Sequence, residues 1–311
     1  MIERLDGWRQ RLAGLSALAW WWWLAPAAAL AILLYYPVGM ALTHHVDDDP
    51  DFALAANAVS GTQSRAVAMA SALVLREVEG NAWTANDPFF QPSWALDDMP
   101  NFQQGMVAAV ARFAVQLNEL SPAHDLDKAA GLLKYPGTVW MFDPSTSWAP
   151  TASSEKQYRN AARWLDNFNH RLGTGDAQLG RDALSLRAIL VGVSADLGDA
   201  SVLLERQIAE GGIVDFAADD VFHATKGRLY AYSLLLRELG WDYAPVLANG
   251  ELGAQWRQML ETLRQAAALD PLMVVSGSPD GLAMPSHLAS QGFYLLRARA
   301  QLDGIIAHTA P

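Results

Sequence analysis

The chain has 311 residues, with 22 Lys and Arg against 33 Asp and Glu, a formal net charge of −11, 51% hydrophobic residues, 12 Trp and no Cys. So apolar and aromatic a chain buries enough surface to offset its ordering entropy, which excludes disorder. The missing Cys excludes a disulfide scaffold, a thiol enzyme and Cys-ligated zinc or iron–sulfur centres, and the acidity argues against nucleic acid as a partner, because an acidic surface repels phosphate.

Residues 12–43 hold no charged side chain. At about 1.5 Å per residue a helix of that length exceeds the roughly 30 Å hydrocarbon core of a bilayer. Residues 12–43 are therefore read as a transmembrane anchor, with the span itself at about residues 18–40 and residues 1–11 as a cytoplasmic tail. Pro26 introduces a kink of the kind membrane helices tolerate. Ala25-Pro26-Ala27 imitates a leader-cleavage site, but the apolar run continues through Ala31-Ile32-Leu33-Leu34, longer than a leader needs. An uncleaved anchor is expected. Arg4, Arg9 and Arg11 precede it, and no Lys or Arg follows it before Arg65. The positive-inside rule then puts the N-terminus in the cytoplasm and the rest of the chain in the periplasm of a bacterial inner-membrane protein. Trp20-Trp21-Trp22-Trp23 points in all directions around a helix. Two readings fit the run: an interfacial belt completed by Tyr35 and Tyr36, or a contact with another membrane helix.

Beyond the anchor, residues 44–311 carry 19 basic and 31 acidic residues, a balance of −12. Apolar positions recur at helical spacing nearly throughout. Val67, Ala70, Val74 and Val78 mark a helix over 64–80. Met106, Val110, Phe113 and Leu117 mark one over 101–120. Phe222, Leu229, Tyr232, Leu236 and Leu239 mark one over 219–239, and Leu288, Leu295, Leu302 and Ile306 one over 286–306. Further helices are expected at 153–172, 178–209 and 251–269. Asp219 and Ser153 read as N-caps and Gly240 as a C-terminal stop. Only residues 138–142 and 272–275 look extended, and they offer one short two-stranded element. The expected fold is all-α, a single N-terminal transmembrane helix joined to a helical extracytoplasmic domain at 44–311. Leu172-Gly173-Thr174-Gly175 marks a sub-boundary near 172–176.

Three segments interrupt the helices. Asn86-Asp87-Pro88-Phe89-Phe90-Gln91-Pro92-Ser93-Trp94 and residues 135–150 mix Pro with aromatic side chains, and Ser276-Gly277-Ser278-Pro279-Asp280-Gly281 is a turn. Tyr135, Trp140, Trp148, Phe89, Phe90 and Trp94 are the candidate contact residues, because rigid aromatic loops suit binding. Asp143 and Glu155 flank the second loop. Paired carboxylates beside sugar-stacking aromatics are the equipment of glycan hydrolysis. The plainer reading makes Asp143 a turn initiator before Pro144 and Glu155 a first-turn helix residue. His44, His45 and Asp47 are the densest metal-capable group, equally readable as a juxtamembrane polar collar. Asp215, Asp219 and Asp220, with Lys226 and Arg228 further on, form either an acidic pocket rim or a capped helix start. No P-loop, dinucleotide fingerprint, Gly-x-Ser-x-Gly or His-Glu-x-x-His occurs, so no cofactor is expected.

Several stretches carry a resemblance: Tyr36-Pro37-Val38-Gly39-Met40, Ser64-Arg65-Ala66-Val67-Ala68-Met69-Ala70, Asn86-Asp87-Pro88-Phe89-Phe90, residues 131–140, 143–158, Ala218-Asp219-Asp220-Val221-Phe222, Lys226-Gly227-Arg228-Leu229-Tyr230-Ala231-Tyr232 and Pro279-Asp280-Gly281-Leu282. Over most of residues 35–302 the chain resembles the proteobacterial membrane-anchored family called Domain of Unknown Function 2333. The resemblance implies one N-terminal span and one exported domain, and it transfers no catalytic residue. The reading that follows is a single-pass inner-membrane protein that contacts the lipid bilayer and binds or scaffolds another membrane or periplasmic protein. The alternatives are a peptidoglycan hydrolase using Asp143 or Glu155, and a small-ligand or lipid-binding domain.

Overall fold

The computed structural model describes residues 2–142, 148–210, 216–248, 252–271, 274 and 286–309, with the side chains of 2–22 and 216 outside that set. Among the described residues the structure is all-α, with ten α-helices and no strand. The chain divides into two compact units. One takes Met1–His44 with Pro88–Leu96, the other His45–Asp87 with Asp97–Pro311.

The first unit is built on α1 (Ile2–Thr43), which runs unbroken through Pro26 and Pro37. Its segment Trp23–Thr43 is long and apolar enough to cross a membrane, and none of it is buried. The excursion Pro88–Leu96, with a 3-10 turn at Pro92–Ala95, is fastened to this helix. Tyr35 Oη donates to the Phe90 carbonyl at 2.9 Å, and Tyr36 Oη to the Phe89 carbonyl at 2.7 Å. Gly39 is what lets Pro92 approach, since a Cβ there would overlap the proline ring.

The second unit holds α2 (Arg65–Leu75), α3 (Asp98–Leu120), α4 (His124–Leu133), α5 (Ser154–Thr174), α6 (Ala183–Glu210), α7 (Phe216–Asp242), the short α8 (Ala244–Leu247), α9 (Leu252–Ala267) and α10 (His287–His308). A π-helical turn, Arg76–Gly80, continues α2. Helix α7 is the hub, packing against α2, α3, α6, α9 and α10, while α5 takes α2 and α4. Buried Phe222, Leu229, Tyr230, Tyr232, Leu235 and Leu239 all come from α7. A helix apolar on so many sides belongs in the interior.

Every one of the expected helices is present, with ends displaced by a few residues, while α4 and the four-residue α8 were not expected. Asp219 is not an N-cap: α7 starts at Phe216 and Asp219 lies in its first turn. Gly240 does not stop that helix, which continues to Asp242. Its missing Cβ admits the Trp256 indole, which would stand 2.6 Å from a methyl there. Ser153 holds the N-cap position of α5 without a side-chain bond. The neighbouring Ser154 hydroxyl instead accepts from the Val139 amide at 3.0 Å and donates to the Pro136 carbonyl at 2.7 Å. Residues 138–142 form no strand. The Val139 and Met141 carbonyls accept from the Ser154 and Thr151 amides, so this stretch is tied to the approach to α5. The proposed partner stretch, 272–275, lies outside the described residues apart from Val274. Gly175, at φ +83°, caps α5 in the left-handed conformation that glycine favours, and both sides of the 172–176 turn belong to the same unit.

Helices α3 and α7 cross backbone to backbone. A methyl on Gly105 would lie 2.7 Å from the Ala224 carbonyl carbon, and one on Gly227 2.8 Å from the Phe102 carbonyl carbon, with the oxygens nearer still. Neither neighbour is a flexible side chain that could move aside. Gly227→Ala should therefore cost about 1–3 kcal/mol through overpacking. Gly131→Ala, which meets only open space on α4, should be neutral or stabilising by up to about 1 kcal/mol. Urea unfolding of the two variants in detergent checks the contrast.

Candidate functional site

The polar chemistry gathers along one side of α7, beside the segment that follows α1. That segment, residues 45–54, is acidic, and its acids meet buried cations. The Arg76 guanidinium donates to the Tyr230 hydroxyl at 2.7 Å and to the Asp47 carbonyl at 2.8 Å, pairs with the Asp47 carboxylate at 3.3 Å and Glu77 at 2.9 Å, and lies 4.7 Å over the Phe52 ring. Lys226 is fully buried on α7 and binds Asp48 at 2.7 Å and Asp270 at 3.2 Å. Tyr230 Oη donates to the Asp49 carbonyl, and Arg237 to those of Pro50 and Phe52. Residues 47–52 thus lie as a strap along α7.

Burial raises the Glu77 carboxyl above its ordinary range even though Arg76 opposes this. Gln103 donates to Glu77 at 3.1 Å and to the Ala82 carbonyl at 2.8 Å, joining α3 to the π-turn.

One turn beyond Lys226, toward the start of α7, Asp219 and His223 sit four residues apart on one helix face. Asp98, the first residue of α3, meets them. His223 Nε2 stands 3.5 Å from Asp98 and 3.6 Å from Asp219. Asp97 lies beside Asp98, and Asp220 accepts from the Asn101 amide at 2.6 Å. Burial, helped by a hydrogen bond that protonated Asp219 donates to Asp98 and by the charges of Asp98, Asp97 and Asp220, pushes the Asp219 carboxyl up to about 7. Burial also lowers the His223 imidazole, against the pull of Asp98.

The sequence singled out other residues, and the structure scatters them. Phe89, Phe90 and Trp94 sit on the excursion beside α1, 68%, 48% and 58% exposed. Of the aromatics on α1, Tyr35 and Tyr36 hold that excursion, Trp23 is exposed, and the side chains of Trp20, Trp21 and Trp22 lie outside the described residues. Tyr135 donates to the Ala152 carbonyl and lines a groove of about 440 Å³ between α3, α4 and α6 with Arg112, Lys134, Tyr158 and Asp199. Trp140 is half-buried and meets Phe142 edge to face, and Trp148 is almost wholly exposed. Glu155 accepts from the Asn86 side chain at 2.8 Å in the first turn of α5. Asp143 lies outside the described residues. Asp47 is taken by Arg76 and, at 3.3 Å, by Asn81. The group Asp98, Asp219 and His223 was not read as a unit from the sequence. The signal for two of its three members was the Asp-x-x-x-His spacing, but nothing local announces that Asp98 joins them.

A bacterial protein family, described as an uncharacterised protein conserved in bacteria and designated DUF2333, matches residues 19–217, nearly two thirds of the chain. The chain belongs to this family. No curated protein and no solved structure matches it.

Asp219 binds its proton more tightly folded than unfolded. Its contribution to stability is complete below the ordinary carboxylate range and is lost as the pH rises through about 7. His223, lowered in the fold, acts in the opposite sense below about 6.5, so the window above that belongs to Asp219. With chelator present, the melting temperature should fall between about pH 6.5 and 8, and Asp219→Asn should flatten that fall.

Proposed function

We propose that this protein is a single-pass inner-membrane protein, N-terminus in the cytoplasm, whose periplasmic helical domain binds or scaffolds another component of the cell envelope. The observation that carries the reading is the aromatic excursion Pro88–Leu96, clamped by Tyr35 and Tyr36 to an apolar helix whose surface is unburied. Tyr and Trp favour the membrane–water interface. An excursion fixed at the level of Tyr35 and Tyr36 therefore holds Phe89, Phe90 and Trp94 at the bilayer surface. Trp148 and Trp241, exposed on the helical unit, add rigid aromatic anchors of the kind protein interfaces use. A second reading, a small apolar ligand, is favoured by the groove of about 410 Å³ lined by Trp241, Ala244, Leu247, Trp256 and Leu260, within the usual size range of ligand sites.

Because the chain has no Cys, single introduced cysteines report topology cleanly. In cells with a permeabilised outer membrane, Glu205→Cys should react with an impermeant maleimide and Arg9→Cys only after lysis. The reverse pattern sinks the orientation. For the binding role, a photo-crosslinking amino acid placed at Phe89, Trp94 or Trp148 should give one defined protein adduct in living cells, absent when the same group is placed at the exposed Glu205. No adduct from any of the three aromatic positions would count against a protein partner.

A further inference from the structure

The strongest unassigned chemistry is the meeting of Asp98, Asp219 and His223. Their ligand-capable atoms all lie within 4.8 Å of one another. A cation about 2.1 Å from each of two ligands in a tetrahedral site holds those ligands about 3.4 Å apart, and the two histidine–carboxylate separations are 3.5 and 3.6 Å. The two histidine–carboxylate separations match those between two ligands of one tetrahedral ion. His223 adds a buried imidazole whose Nε2 faces both carboxylates. Its side chain is only 7% exposed, and Nδ1, the nitrogen turned away from the carboxylates, is buried with no partner among the described residues. Nε2 is the nitrogen aimed between the two acids, and an ion there would engage it.

We propose that Asp98, Asp219 and His223 bind a divalent transition-metal cation, with water completing its coordination. Two carboxylate oxygens and one imidazole nitrogen suit Zn²⁺ or Mn²⁺ better than the all-oxygen demands of Ca²⁺ or Mg²⁺. Asp98 and Asp219 keep 33% and 24% of their surface, which gives the ion a route in and leaves room for water. Asp97 and Asp220 add negative charge around the site, and Lys226, the nearest buried cation on α7, is already committed to Asp48 and Asp270. The site depends on tertiary structure: the Gly105–Gly227 crossing sets α3 against α7, and a bound ion would fasten the first turn of one helix to that of the other.

The test uses the full-length, tag-free protein in detergent, stripped with EDTA. Titration with Zn²⁺ should show one equivalent per chain, with a higher melting temperature when the ion is in excess. Asp219→Asn and His223→Gln should each weaken binding at least about 100-fold, more than the loss of an outer-shell partner, while His45→Gln should leave it unchanged. The same affinity in both site variants, or binding no stronger than in the detergent blank, overturns the proposal. Co²⁺ added to the wild-type protein reads the site without any variant. Intense visible ligand-field bands of low coordination support it, and the spectrum of the aqua ion overturns it.

Discussion

Two buried cations organise the part of the chain that follows the apolar helix. Lys226 has no exposed surface, and Arg76 is nearly as enclosed. A cation so placed is tolerable only with its partners in hand, and both take theirs from the acidic residues just past α1. Asp47 goes to Arg76 and Asp48 to Lys226. The backbone carbonyls of Asp49, Pro50 and Phe52 then fall to Tyr230 and Arg237. A stretch that would otherwise be a solvated acidic leader becomes a strap with a fixed register on α7. The net charge of residues 44–311 therefore misleads as an average, because several of the acids there are internal.

The second constraint is the crossing of α3 and α7. Two glycines remove the side chains that would hold these helices apart, so backbone meets backbone at Gly105 and Gly227. From that contact the first turns of both helices run close together, which stacks Asp97 and Asp98 against Asp219, Asp220 and His223. Burial first, and the crowding of neighbouring carboxylates second, hold the Asp219 carboxyl at about 7. The same crossing brings Gln103 to Glu77, so the π-turn, α3 and the strap share one network.

Much of the architecture was legible because Leu, Val, Phe and Tyr recur at the helical period, and the uncharged run at 12–43 announced the apolar helix. Helix α4 escaped notice. It is ten residues long, its N-cap Ala123 makes no side-chain bond, and Asp125, Asp127 and Lys128 interrupt Leu126, Ala129, Ala130 and Leu133. Asp219 imitated a cap because an acid before an apolar repeat usually is one, and the helix simply began three residues earlier. Nothing local marked Lys226 as buried, since lysine rarely is, and its two partners, Asp48 and Asp270, lie far from it in sequence. Phe89 and Phe90 stood out in the sequence as loop aromatics, but no local pattern tied their carbonyls to Tyr35 and Tyr36.

The acidic strap depends on the polar seam along α7 being firmly made. The most direct measurement is a double-mutant cycle between Asp48 and Lys226, using Asp48→Ala, Lys226→Met and the double variant, read by urea unfolding of the full chain. Buried charge-assisted pairing predicts a coupling of about 1.5–3 kcal/mol. A coupling near zero would contradict the account, because the strap would then lie along α7 without being held by it.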